Sequence, residues 1–110
     1  MQRILVVEDN PEIARSIEER FNCDCASDGW DAISKLENED YAAIVIDADV
    51  SRHSGYGVLT YLREEVGEEL SNVIVMTTSA DHDDVRRRVG ATLTIVDKDR
   101  AVDEITRMLG

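Results

Sequence analysis

Acidic side chains follow two apolar runs of this sequence at the points where the runs stop. The run ILVV leads directly into Glu8 and Asp9, and the run IVI leads into Asp47, with Asp49 two residues later. Three carboxylates brought together without a cation would repel one another and raise one another's pKa. A divalent ion with oxygen ligands removes that repulsion, and Mg²⁺ fits such a set of ligands best.

A hydroxyl and an ammonium group follow two later apolar runs. Thr77 comes after VIVM, and Lys98 comes two residues after TIV. A metal-held aspartate beside such groups can accept a phosphoryl group, because the metal and the ammonium neutralise charge on the transferred oxygens. Each residue alone has a plainer interpretation, such as acids at a helix start or a hydroxyl at a sheet edge. Their shared position after strands favours the chemical interpretation.

The apolar runs predict five strands that alternate with helices. The strands are expected at residues 4–7, 23–26, 43–46, 73–76 and 93–96. One helix is expected to begin at Asn10 and Pro11, and a second is expected to have Asp28 as its N-cap. Three more helices are expected at residues 58–66, 83–89 and 102–109. Such alternation predicts an α/β fold with a five-stranded parallel sheet, doubly wound with helices on both faces. Ligands bind such sheets at the carboxyl ends of the strands, where the polar residues lie.

Length and charge limit the possible functions. The chain has 110 residues, which fits one domain over residues 1–110, and a net charge of -12, which disfavours direct binding of nucleic acid. We find no apolar run long enough for membrane insertion and no secretory leader, so we expect a cytoplasmic protein. Cys23 and Cys25 are interpreted as small hydrophobic residues and not as a redox pair or a zinc site.

Five segments, in this order, resemble the receiver domain of two-component response regulators. They are ILVVEDN, CASDGWDAI, YAAIVIDADVSRHSGYGVL, VIVMTT and VGATLTIVDK, and they cover nearly all of the chain. The resemblance implies a flavodoxin-like three-layer sandwich and a role in signal transduction through protein contacts. It further implies phosphorylation by a histidine kinase or a phosphotransfer protein in a phosphorelay. The protein would be no enzyme beyond its own phosphorylation and dephosphorylation.

The resemblance also implies roles for individual residues. Asp47 would be the phosphoacceptor, Thr77 the hydroxyl that follows the phosphoryl group, and Lys98 its ammonium partner. Mg²⁺ would be bound by Asp9 directly, by Glu8 through water, by Asp47, and by the backbone carbonyl of Asp49.

The sequence departs from the family pattern at several positions near this site. Ser51 stands where the family usually has proline, and Thr78 stands where it prefers a very small residue. The aromatic residue expected before the lysine is replaced by threonine or isoleucine. Counted from Gly90, the lysine position falls on Asp97 and not on Lys98. We favour Lys98, because Asp97 there would add a fourth unpaired carboxylate.

Three alternatives remain open from the residues. A degenerate receiver would keep the fold and bind proteins without phosphorylation. DADV resembles the nucleophile motif of haloacid-dehalogenase-type phosphatases, although it lies mid-chain without a later acidic pair or a cap domain. Glu8 with Asp47 and Asp49 resembles the metal site of toprim domains, although no glycine follows Glu8 and the net charge is wrong for DNA. Mg²⁺ binding, phosphorylation of Asp47 and phosphatase turnover would separate these alternatives.

Overall fold

The computed structural model describes residues 3–48, 61, 64, 72–78, 82–89 and 93–110. Five strands form one parallel sheet in the order β2-β1-β3-β4-β5. Their bounds are β1 (Arg3–Val7), β2 (Asn22–Ala26), β3 (Ala43–Asp47), β4 (Val73–Thr77) and β5 (Thr94–Asp97). The predicted fold class is confirmed. The strand predicted at residues 93–96 lies one residue later, because Leu93 packs into the core before the ladder with β4 begins.

The described helices are α1 (Pro11–Glu18), α2 (Gly29–Asn38), α3 (His82–Val89) and α4 (Ala101–Leu109). Both predicted helix starts are confirmed. The Asn10 side chain caps α1 by accepting a hydrogen bond from the Glu12 N–H, and Asp28, the predicted N-cap of α2, accepts one from the Asp31 N–H. A short 3₁₀ turn, Lys98–Arg100, precedes α4. The helix predicted at residues 58–66 lies outside the described residues, apart from two isolated positions. None of the described helices is long and apolar enough to cross a membrane.

The sheet is covered by helices on both faces, which explains why its strands read as continuous apolar runs. One face packs against α2 and α3 through residues that include Leu5, Val7, Ile46, Val75 and Val85. The other packs against α1 and α4 through residues that include Val6, Ile17, Val45, Met76 and Ile105. Every residue of β3 and β4 is buried, so these two strands form the centre of the core.

The two cysteines lie on β2, which is an edge strand of the sheet. Cys23 and Cys25 are free, half-buried, and packed against the core on the α1 and α4 side. Burial, followed by the charge of Glu18, raises the pKa of Cys23 to about 11. Burial, followed by a hydrogen bond to the Glu18 carboxylate, raises the pKa of Cys25 to about 12. Neither thiol is activated as a nucleophile, in keeping with the predicted packing role.

Candidate functional site

Three carboxylates meet at the carboxyl ends of β1 and β3. One oxygen from each of Glu8, Asp9 and Asp47 lies within 4.8 Å of the others. The Glu8 and Asp47 side chains are only 0% and 1% exposed, whereas Asp9 is exposed. The site therefore consists of two buried carboxylates with a third at its opening to solvent.

Hydrogen bonds of the sheet hold the backbone around these acids. β1 and β3 are adjacent and parallel, so the residues at their carboxyl ends leave the sheet side by side. The Glu8 N–H donates to the Ala26 carbonyl over 3.0 Å, and the Ala48 N–H donates to the Met76 carbonyl over 2.9 Å. Sheet pairing thus reaches Glu8 and extends one residue past Asp47, and it fixes where these two side chains start.

Lys98 brings the positive charge into this cluster. Its Nζ donates to Asp47 Oδ2 over 2.9 Å and lies 3.3 Å from Glu8 Oε2. The side chain is 14% exposed. Burial disfavours the charged form, but the hydrogen bond to Asp47 and the charges of Asp47 and Glu8 outweigh it, so the pKa of Lys98 is raised. The lysine is held as an ammonium group against the carboxylates.

The excess of negative charge in the cluster mainly affects the pKa of Glu8. Burial, together with the nearby Asp47 carboxylate, raises the pKa of Glu8 to about 7. A hydrogen bond from the Asn10 N–H to Glu8 Oε1 and the charge of Lys98 act in the opposite direction. One ammonium group does not neutralise three clustered carboxylates, so this site favours either a proton or a further cation.

A cleft opens beside the cluster at the carboxyl ends of β4 and β5. Thr77, the last residue of β4, is fully buried and lines this cleft. The cleft has a volume of about 610 Å³, and its lining residues are Thr77, Thr78, His82, Asp97, Lys98 and Asp99. Lys98 is thus shared between the cleft and the carboxylate cluster. A ligand in the cleft would meet a threonine, an ammonium group and the edge of the acidic site.

The family model of the response regulator receiver domain matches residues 4–109 of the sequence. The chain belongs to this receiver family. Receivers are signalling domains of two-component systems and not enzymes in the usual sense. The match assigns the chain to receivers and not to haloacid-dehalogenase-type phosphatases or toprim domains. No curated protein matches the sequence.

Solved receiver structures share the fold over almost their whole length. Response regulator protein TrrA from Thermotoga maritima, solved in complex with Mg²⁺-BeF, is 26% identical, with a TM-score of 0.76 over 99% of this chain and 96% of that one. A CheY-like receiver domain from Methylobacillus flagellatus is 22% identical, with a TM-score of 0.79 over 99% and 96%. The BeF₃-activated DrrB receiver domain is 21% identical, with a TM-score of 0.77 over 99% and 97%.

The site residues predicted for this receiver domain come together as follows. Glu8, Asp9, Asp47 and Lys98 form one cluster, and Thr77 lines the cleft that Lys98 also lines. Asp49, whose backbone carbonyl was predicted to bind the metal, lies outside the described residues. The roles of these residues in catalysis and metal binding remain predictions.

The choice between Asp97 and Lys98 is clear in the geometry of the receiver. Lys98 points to Asp47, whereas the Asp97 side chain is 53% exposed and its Oδ1 lies 2.9 Å from His82 Nε2. His82 was not identified from the sequence, because a histidine before a short, charged helix carries no recognisable signal. Only the folded receiver domain brings it to the end of β5.

The donor set of the receiver fits a hard divalent cation. Carboxylate oxygens are the ligands that Mg²⁺ prefers. Glu8 Oε2 is a buried oxygen that accepts no hydrogen bond from the residues that the structure describes, and its neighbour Lys98 Nζ lies 3.3 Å away. A buried carboxylate oxygen without a donor is costly unless a cation or a proton compensates it. The cluster is therefore suited to Mg²⁺.

Proposed function

We propose that this receiver domain accepts a phosphoryl group on Asp47 in a Mg²⁺-dependent reaction and signals through protein contacts. The observation that carries the proposal is the buried Asp47 carboxylate, held by Lys98 Nζ at 2.9 Å, among acids suited to bind a divalent cation. A degenerate receiver would have no need to keep this costly charge arrangement together.

In the proposed reaction an Asp47 carboxylate oxygen attacks the phosphorus of the donor. The new bond joins that oxygen to phosphorus, and the leaving group departs with the electron pair of the bond that breaks. Glu8, Asp9, Asp47 and the backbone carbonyl of Asp49 would hold Mg²⁺. When bound, the metal supplies positive charge that offsets negative charge building on the transferred oxygens.

The remaining residues of the site act on the same oxygens. The Lys98 ammonium group, already beside Asp47, would donate a hydrogen bond to a phosphoryl oxygen. The hydroxyl of Thr77, which lines the adjoining cleft, would donate to another phosphoryl oxygen and so report that Asp47 is modified. Burial of Asp47 limits access of water, which favours transfer to the carboxylate over direct hydrolysis of the donor.

The biological donor proposed for Asp47 is a histidine kinase or a phosphotransfer protein, because receivers in general interact with these partners. We further propose that residues 1–110 form one receiver domain and that it acts in the cytoplasm, where such kinases present their phosphohistidine.

The test is phosphorylation by acetyl phosphate followed by intact-protein mass spectrometry. With Mg²⁺ the protein should gain one phosphoryl group, and chelation of the metal should abolish the gain. Asp47→Asn should gain none. Asp49→Asn is the matched control and should still react, because only its backbone carbonyl is assigned to the metal.

Other results would select other functions. Full labelling of Asp47→Asn would refute the site assignment. A folded protein that is never labelled would favour the degenerate receiver. Continuous release of phosphate from phosphomonoesters would instead indicate a phosphatase.

A further inference from the structure

We propose that His82 is a positioning residue that keeps Lys98, and not Asp97, in the phosphoryl site. This inference rests on the proposed function, because it concerns which side chain stands beside the phosphoacceptor Asp47. It follows from two adjacent residues of opposite charge at the end of β5 and from the contacts that α3 makes with that strand.

Strand alternation gives Asp97 and Lys98 opposite directions. Asp97 is the lateral partner of Thr77 in the ladder between β4 and β5. Its backbone is extended, so the side chain of the next residue emerges on the other side of the sheet. Lys98 therefore reaches Asp47, while Asp97 faces α3. A shift of β5 by one residue would exchange these two side chains.

The apolar pattern of β5 does little to prevent such a shift. β5 is an edge strand of four residues, all of them half-buried or exposed. Ile95 packs on one face of the sheet and Val96 on the other, so adjacent positions are both apolar. A shift by one residue would place apolar Val96 where apolar Ile95 packs, and no residue of the strand is fully buried, so the strand itself specifies its register only weakly. Leu93, buried just before the strand, anchors one end of β5, and polar contacts at the strand ends add to the specificity.

Helix α3 supplies such contacts at both ends of β5. The His82 Nε2–H donates to Asp97 Oδ1 over 2.9 Å, since a carboxylate can only accept. One helical turn later, Arg86 NH1 donates to the carbonyl of Leu93, the residue before the strand, over 3.0 Å. Helix α3 thus holds Asp97, the last residue of β5, and Leu93, the residue just before the strand. A shifted strand would lose both bonds.

The consequence of losing the His82 contact is set by the charge of the site. Without a partner, Asp97 can rotate or shift toward the cleft, which it already lines together with Lys98. A carboxylate that entered the site would join two buried carboxylates, and Lys98 would be drawn away from Asp47 to pair with it. His82 therefore acts through Asp97, with which it pairs at the edge of the cleft.

The small number of lysines allows Lys98 to be observed directly. The chain has two, Lys35 and Lys98. Lys35→Arg keeps the charge that pairs with Asp31 on α2 and leaves Lys98 as the one lysine of the protein. NMR of isotope-labelled lysine then reports the environment of the Lys98 ε-CH₂ group at neutral pH, independently of phosphorylation.

In this background we expect His82→Ala to move the Lys98 resonance toward that of a solvent-exposed lysine and to slow phosphorylation by acetyl phosphate about tenfold or more. His82→Gln, which keeps an N–H donor, should bring both the Lys98 resonance and the phosphorylation rate most of the way back to those of the parent. The double variant His82→Ala with Asp97→Asn should behave within about twofold of Asp97→Asn alone, because no carboxylate is left to compete. Asp83→Asn, exposed on the same helix, is the control and should change neither measurement.

Two results would overturn the proposal. One is a His82→Ala variant that keeps the Lys98 resonance and the phosphorylation rate. The other is a double variant as defective as His82→Ala, which would mean that His82 only stabilises α3. If the parent protein is never phosphorylated, the proposed function fails, and the Lys98 resonance alone still decides whether His82 positions it.

Discussion

Ionisation of Glu8 should make the metal-free receiver domain less stable as the pH rises. Burial and the Asp47 carboxylate raise the pKa of Glu8 from 4.5 to about 7 in the folded protein. The folded state then binds a proton more tightly than the unfolded state does. The stabilisation from this proton is complete below the unfolded value, and it is lost as the pH rises through about 7.

The size of this effect follows from the shift. A rise of the Glu8 pKa from 4.5 to about 7 is worth about 3 kcal/mol. Since the Glu8 side chain is 0% exposed, solvent screening takes little from this figure. Between pH about 4.5 and pH about 8, the free energy of unfolding attributable to Glu8 should therefore fall by about 3 kcal/mol.

The assay compares the protein with Glu8→Gln by urea unfolding in a chelator, followed by circular dichroism. Fluorescence is less suitable, because Trp30 is already 64% exposed in the folded state. The variant keeps an oxygen that can accept from the Asn10 N–H but carries no charge, so it should lack this part of the pH dependence. At pH about 8 it should be the more stable protein, by up to about 3 kcal/mol. Glu37→Gln, exposed on α2, is the control and should follow the unmodified protein.

Addition of Mg²⁺ gives the second half of the test. A cation that binds only the folded state stabilises it by mass action, and it should do so most at high pH, where Glu8 is charged. The unmodified protein should gain more stability from Mg²⁺ than Glu8→Gln does. If the two proteins have parallel stability profiles from pH about 4.5 to 8, Glu8 does not titrate as described, and the electrostatic account of the site is wrong.

Four further results are expected. Lys98→Met should lower the metal-free free energy of unfolding by about 3 kcal/mol near neutral pH, measured by urea unfolding, because it leaves buried carboxylates unpaired. Thr78→Ala should quicken both phosphorylation by acetyl phosphate and loss of the phosphoryl group, because it removes branched bulk from the cleft; unchanged rates would exclude a gate. Amide hydrogens of α3 should exchange faster than those of β3 and β4, because Val85 is the one buried side chain among those described in that helix. Tyr41→Phe should cost about 1 kcal/mol in the same unfolding assay by removing the 2.8 Å hydrogen bond to Asp24.

The central strands were predictable because their short, unbroken apolar runs are typical of buried parallel strands. β1 and β3 are covered by helices on both faces, so their apolar residues form unbroken runs that end at an acid. The strand end and the site residue are then marked by the same change from apolar to acidic. Glu8, Asp9 and Asp47 could be assigned to one edge of the sheet on this basis, and the structure brings their carboxylates together.

Features that depend on packing between distant elements were less accessible. Phe21 continues the four-residue spacing of Ile13 and Ile17, which alone would extend α1 to this residue, but the helix ends at Glu18 and Phe21 packs against the core from the turn that follows. The apolar spacing continues past the end of α1 because the turn after the helix keeps the Phe21 side chain on the same face as Ile13 and Ile17. Periodicity records which side of the chain is apolar, and the hydrogen bonds decide where the helix stops.

The end of β5 shows the same limit at the functional site itself. At β3 one acid directly follows the apolar run. At β5 an aspartate and a lysine follow it side by side, and the local sequence pattern allows either side chain to face Asp47. The family spacing favoured Asp97, and the repulsion among carboxylates favoured Lys98. In the fold, His82 lies fifteen residues before Asp97 along the chain and binds it over 2.9 Å, with Lys98 on the opposite side against Asp47. In the role proposed for His82, this polar contact with a helix helps to hold the register of an edge strand whose apolar pattern is weak, and it keeps the lysine and not the aspartate beside Asp47.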